Sequence, residues 1–85
     1  VNGFSSTPIL QNVTFVGNSA ADLGGGMFNS YNSSPTMTNI TFSSNSAVNK
    51  GGGIYNEGYS NPQIRNTIFW GNSATLDGAQ IFNDI

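Results

Sequence analysis

The 85-residue sequence predicts an all-β chain wound into a right-handed parallel β-helix, three coils of 27 residues with about three short strands per coil. Three observations carry that prediction. The stretch "FVGNSAADLGGGMFN" at 15 to 29 returns as "FSSNSAVNKGGGIYN" at 42 to 56 and as "FWGNSATLDGAQIFN" at 69 to 83, a shift of 27 each time. Each unit breaks into short apolar pieces separated by Asn, Gly and Ser, the punctuation of strands and turns. The Gly and Asn content of each unit weakens helix interiors and excludes the helical solenoids that also repeat at such lengths.

The pieces follow in order. The first unit supplies "PIL", "NVTF" and "GMF", the second "PTM", "NITF" and "GIY", the third "PQI", "NTIF" and "QIF". If every piece pairs with its counterpart one coil on, successive coils lie about 4.7 to 4.9 Å apart and equivalent residues become neighbours. The coils run approximately 1–27, 28–54 and 55–81, with an overlapping strand at 82–85. Phe15, Phe42 and Phe69 then stack as an aromatic column in the core. Leu10, Met37 and Ile64 form a second wall, and Met27, Ile54 and Ile81 a third. Three Asn columns are expected at inward-facing bends as amide ladders: Asn12, Asn39 and Asn66; Asn18, Asn45 and Asn72; Asn29, Asn56 and Asn83. A buried amide without partners costs roughly 1 to 3 kcal/mol, so each must donate to the next coil and accept from the last. The Gly runs suit corners with positive φ or close backbone approach. The Pro column, Pro8, Pro35 and Pro62, suits strand starts. Handedness follows from the general preference of parallel crossovers.

Composition narrows the function classes. Charged residues are 7% of the chain, against roughly 25% in ordinary globular proteins. The net charge is −2, with Lys50 and Arg65 the two basic residues, so there is no footprint for nucleic acid or an anionic membrane. No apolar run is long enough to insert into a bilayer as a helix. Without Cys or His, disulfides and zinc sites are excluded, and neither metal nor cofactor is expected. The sequence starts at Val1 in mid-pattern, which suggests a segment of a longer or processed precursor.

The motifs resemble a known family. "FVGN" (15 to 18), "FSSN" (42 to 45) and "FWGN" (69 to 72) are similar to the "FxxN" element of the polymorphic outer membrane proteins of chlamydiae. "GGGM" (24 to 27) and "GGGI" (51 to 54) resemble that family's "GG-small-apolar" element, and "GAQI" (78 to 81) departs from it. The resemblance implies a right-handed parallel β-helix in a secreted or surface protein. Related solenoids serve as adhesins, passenger stalks, fibre subunits and polysaccharide-processing enzymes, so fold alone does not fix the role.

Candidate sites are few. Of the acids Asp22, Glu57, Asp77 and Asp84, only Glu57 and Asp84 share a column, a spacing near that of a retaining glycosidase pair or a calcium site. The expectation is two solvated acids and no catalysis. Lys50 and Asp77 share a column and are read as a surface ion pair, with Asp22 displaced by one position. With Phe15 inward, Thr14 and Val16 point out, and their third-coil equivalents are Ile68 and Trp70. These are read as a lateral interface, or as a register shift that takes Ile68 into the core in place of Thr67. Phe28, Tyr55 and Phe82 would form an outer strip for a protein or sugar rings if Met27, Ile54 and Ile81 face in. Glycosylation acceptors occur at Asn12, Asn32 and Asn39, two of them in a column read as buried and therefore unmodified.

The ends read as bare strands without polar caps. Val1, Asn2, Gly3 and Phe4 are in phase with Phe82, Asn83, Asp84 and Ile85. The partners expected are copies of the same chain stacked head to tail into a filament, or flanking coils of a parent chain. A surface glycan is the alternative partner. The sequence-level reading is a structural or adhesive, extracellular or cell-surface solenoid.

Overall fold

A computed structural model describes residues 1–84; Ile85, the last position of the expected terminal strand, lies outside them. The chain forms twelve strands: β1 Ile9–Gln11, β2 Thr14–Val16, β3 Ser19–Ala20, β4 Met27–Asn29, β5 Thr36–Thr38, β6 Thr41–Ser43, β7 Ser46–Ala47, β8 Ile54–Glu57, β9 Gln63–Arg65, β10 Ile68–Trp70, β11 Ser73–Ala74 and β12 Ile81–Asp84. They make four three-stranded sheets, β1-β5-β9, β2-β6-β10, β3-β7-β11 and β4-β8-β12. All pairing is parallel, and every partner lies 27 residues away, as in Leu10 with Met37 and Phe42 with Phe69. The chain is therefore a parallel β-helix of three coils. Each coil has four strand stations where three were expected. The addition is the two-residue Ser-Ala rung, which is too short and too weakly apolar to register as a strand in the sequence.

Strands alternate their side chains between lumen and surface, and residues at positive φ turn the corners between them. One corner column is Gly24, Gly51 and Gly78, at φ 68, 71 and 64. A second is Asn12, Asn39 and Asn66, at φ 55, 57 and 48. This corrects the expectation of a buried ladder, since all three Asn are exposed. Asn is present because it tolerates the left-handed conformation, and Asn39 Nδ2 donates to Asn12 Oδ1 at 3.1 Å on the outside of the corner. The acceptors Asn12 and Asn39, expected to be buried and unmodified, are therefore exposed, as is Asn32.

The other two ladders run inside. Asn18 Nδ2 donates to Asn45 Oδ1 and Asn45 Nδ2 to Asn72 Oδ1, both at 3.0 Å. The third ladder has four members, because Asn2 joins it: Asn2, Asn29 and Asn56 each donate through Nδ2 to the next Oδ1 at 2.8 Å, ending on Asn83. Ser33 and Ser60 form a lesser ladder, the Ser33 amide donating to Ser60 Oγ at 3.0 Å. Among the described residues every buried side-chain nitrogen and oxygen has a partner.

The apolar lumen is built on Met27, Met37, Ile40, Phe42 and Ile54, with Leu10, Val13, Phe15, Ile64, Phe69 and Ile81 packed against them. Phe15, Phe42 and Phe69 stack with centroids 4.7 and 4.9 Å apart, nearly parallel, at the spacing of the strands that carry them. Overall extents of 27 × 26 × 15 Å make the molecule wider than it is tall. Only the middle coil is therefore well shielded: Phe42 is wholly buried, whereas Phe15 and Phe69 remain half-exposed.

Candidate functional site

The outer surface decides what the chain can contact. On β10, Ile68 and Trp70 point outward, 61% and 74% exposed, and Trp70 continues the outer column of Val16 and Ser43. Phe69 stays in register with Phe42, so Ile68 does not shift into the core, and Thr67 remains in the column of Val13 and Ile40.

The Phe28, Tyr55 and Phe82 column stacks at 5.3 and 5.5 Å. It is not the open strip expected, because Tyr55 is only 3% exposed. The neighbouring corner folds back over it: a Cβ on Gly51 would come within 2.7 Å of Tyr55 Cβ. Lys50 Nζ lies 4.6 Å from the centroid of Phe82, so the lysine joins the aromatic column instead of the expected ion pair with Asp77. Asp22 accepts from Asn49 Nδ2 at 2.5 Å.

The acids do not assemble a reactive centre. Glu57 and Asp84 are paired in β8 and β12, and Asp84 Oδ2 accepts from the Tyr55 hydroxyl at 2.9 Å. Burial, and then that bond and the surrounding carboxylates, push the Tyr55 phenol up to about 12. Asp84 is thus engaged as a fixed acceptor. No cluster of three or more His, Cys, Asp or Glu able to hold a metal occurs among the described residues. A shallow groove of about 650 Å³ runs across the three Ser-Ala rungs, lined by small residues and no charge.

Three further aromatic groups are open to solvent, at a corner not singled out from the sequence. Phe4 and Tyr31 stack with centroids 5.1 Å apart and planes within 2°. Tyr59 follows in the third coil. Phe4, Tyr31 and Tyr59 are 84%, 59% and 76% exposed. All three hold positive φ, 56, 53 and 63, which bulky L residues rarely adopt. The signal was present in the columns: Gly58 aligns with Phe4 and Tyr31, and Asn32 aligns with Tyr59. Gly and Asn mark left-handed positions, so aromatic residues sharing those columns sit on a corner and project outward. Phe4 is accordingly a corner residue and not part of a bare strand; at that end Asn2 pairs as a single bridge with Asn29.

Residues 39–57 match the family model of the Chlamydia polymorphic membrane protein repeat. The match spans β6 to β8 and contains both "FSSN" and "GGGI". No curated protein and no solved structure matches the chain. No helix among the described residues is long and apolar enough to cross a membrane.

Proposed function

We propose that the chain is a structural and adhesive β-solenoid segment of a secreted or cell-surface protein, which holds an aromatic corner out toward a partner. One observation carries this reading: Phe4, Tyr31 and Tyr59 combine high exposure with backbone angles unfavourable to them. Such strain persists only when the surrounding structure imposes it, and it concentrates at contact sites. Backbone hydrogen bonds between coils hold the corner here, from Ser5 N–H to Tyr31 O and from Asn32 N–H to Gly58 O, both at 2.8 Å, and the family match supports a surface protein. Trp70 and Ile68 supply a lateral contact for flanking protein. The reading requires no catalysis.

Beads coated with the chain, applied to a panel of cultured mammalian cells, test it. Phe4→Ser/Tyr31→Ser/Tyr59→Ser is expected to abolish most bead retention while Trp70→Ser preserves it. Equal retention of the triple variant and the unaltered chain sinks the reading. A second reading, a carbohydrate-binding module, is favoured by the parallel stacked rings of Phe4 and Tyr31. A glycan array without signal removes it and leaves a protein partner.

A further inference from the structure

The Gly run at the corner before β4, β8 and β12 divides into two kinds of glycine. A Cβ on Gly24, Gly51 or Gly78 would collide inside its own coil, with the carbonyl oxygens of Met27, Ile54 or Ile81 at 2.5, 2.6 and 2.8 Å. This column is Gly in all three coils. A Cβ on Gly25 would instead lie 2.4 Å from the Gly52 and Ser46 oxygens, and one on Gly52 would lie 2.3 Å from Ser73 O and 2.5 Å from Ala79 O. Gly26 and Gly53 likewise abut Gly53 O and Gln80 O, at 2.8 and 2.4 Å. The second kind is thus required by the coil that stacks above. In the third coil the within-coil glycine stays as Gly78, whereas the two between-coil positions become Ala79 and Gln80.

Gln80 also does something no other residue of its column does. Asn18 and Asn45 each donate through Nδ2 to the Asn of the next coil. Asn72 donates through Nδ2 to Gln80 Oε1, at 2.7 Å. A side chain of the same coil thereby stands where the next rung's amide oxygen would be.

We propose that Ala79 and Gln80 close the third coil's face to stacking, with Gln80 terminating the Asn18-Asn45-Asn72 ladder. The first coil's face stays open to one kind of partner, a preceding coil carrying Gly-Gly at this corner. Copies of this chain, whose last coil carries Ala-Gln, do not fit there, so the head-to-tail filament is blocked. Polypeptide continuing past residue 85 is free to lead elsewhere; the closed feature is a packing face. This is independent of what the aromatic corner binds.

The test appends a fourth coil, the sequence of residues 32–58 placed after Ile85, to the unaltered chain and to Ala79→Gly/Gln80→Gly. Hydrogen exchange then reads whether the added coil is folded. In the unaltered background its amides are expected to exchange within about tenfold of free-chain rates. In the double variant they gain the protection of the second coil. Without the appended coil, the double variant forms rods in electron micrographs and the unaltered chain does not. Equal protection in the two backgrounds, high or low, overturns the proposal, as do rods of the unaltered chain.

Discussion

Asn45 Nδ2 donates to Asn72 Oδ1 at 3.0 Å, and the Asn45 backbone amide donates to the same oxygen at 2.9 Å. Asn45 Nδ2 also holds Phe15 O at 2.8 Å, and Asn45 Oδ1 accepts from Asn18. One wholly buried side chain thus ties three coils together. Asn45→Ala leaves several polar groups without partners, each costing about 1–3 kcal/mol. The expected loss is about 3–5 kcal/mol, comparable with the whole stability of a small domain. Asn18→Ala, at an exposed rung, is expected to cost under about 2 kcal/mol. Urea midpoints followed by circular dichroism compare the two, and an equal loss contradicts the ladder account.

Gly52 and Gly17 separate close packing from backbone angle. A Cβ on Gly52 meets Ser73 O at 2.3 Å, whereas one on Gly17 meets nothing within 4 Å, although Gly17 holds φ +66. Gly52→Ala must push two coils apart, which is expected to cost about 3 kcal/mol or more. Gly17→Ala bears only the left-handed penalty, about 1–2 kcal/mol. Gly17→Asn lowers that further, as Asn12 and Asn39 already show Asn at positive φ. Thermal midpoints of the three variants order as Asn above Ala at position 17, and both above Ala at position 52.

How much of this was legible beforehand depended on what column identity reports. Phe15, Phe42 and Phe69 repeat because they touch, and their placement followed directly. Asn12, Asn39 and Asn66 repeat for another reason, since Asn suits both an inward amide ladder and an outward left-handed corner. The distinguishing signal was local: Met37 and Ile40 are both buried but three positions apart, so the strict alternation of a strand breaks between them. The covering of Tyr55 was not legible, because it arises where a corner folds onto its own strand. The aromatic corner was hidden for the opposite reason, its Tyr having moved one column along in the third coil, from the Phe4 and Tyr31 column to Tyr59.

Alkaline stability depends on Tyr55. Its phenol is raised from 10.0 to about 12, by burial first and then by its bond to Asp84. The unfolded chain loses this proton near pH 10, while the folded chain keeps it until about pH 12. The contribution is therefore complete below pH 10 and falls away as pH rises from about 10 to about 12, by at most about 2 kcal/mol in all, because the hydroxyl's bond to Asp84 is only part-buried and is screened by solvent. Tyr55→Phe removes this part of the slope. Urea titrations at pH 9, 10, 11 and 12 measure the difference, and parallel curves for the two proteins refute it.

Tyr59 separates stability from contact. It occupies φ 63 with its side chain 76% exposed, so the fold gains little from the ring and bears the left-handed penalty. That penalty is about 1–2 kcal/mol for an L residue and absent for Gly, against about 0.5–1 kcal/mol lost to the greater freedom of unfolded Gly. Tyr59→Gly is therefore expected to match the unaltered chain or exceed it by up to about 1.5 kcal/mol, while its coated beads bind fewer cells. Gly58, one residue earlier, is no model for the reverse change, because a Cβ there would lie 2.9 Å from Tyr31 N. If Tyr59→Gly loses more than about 1 kcal/mol in urea unfolding, the ring is packing and not presentation, and the adhesive reading of this corner loses its physical basis.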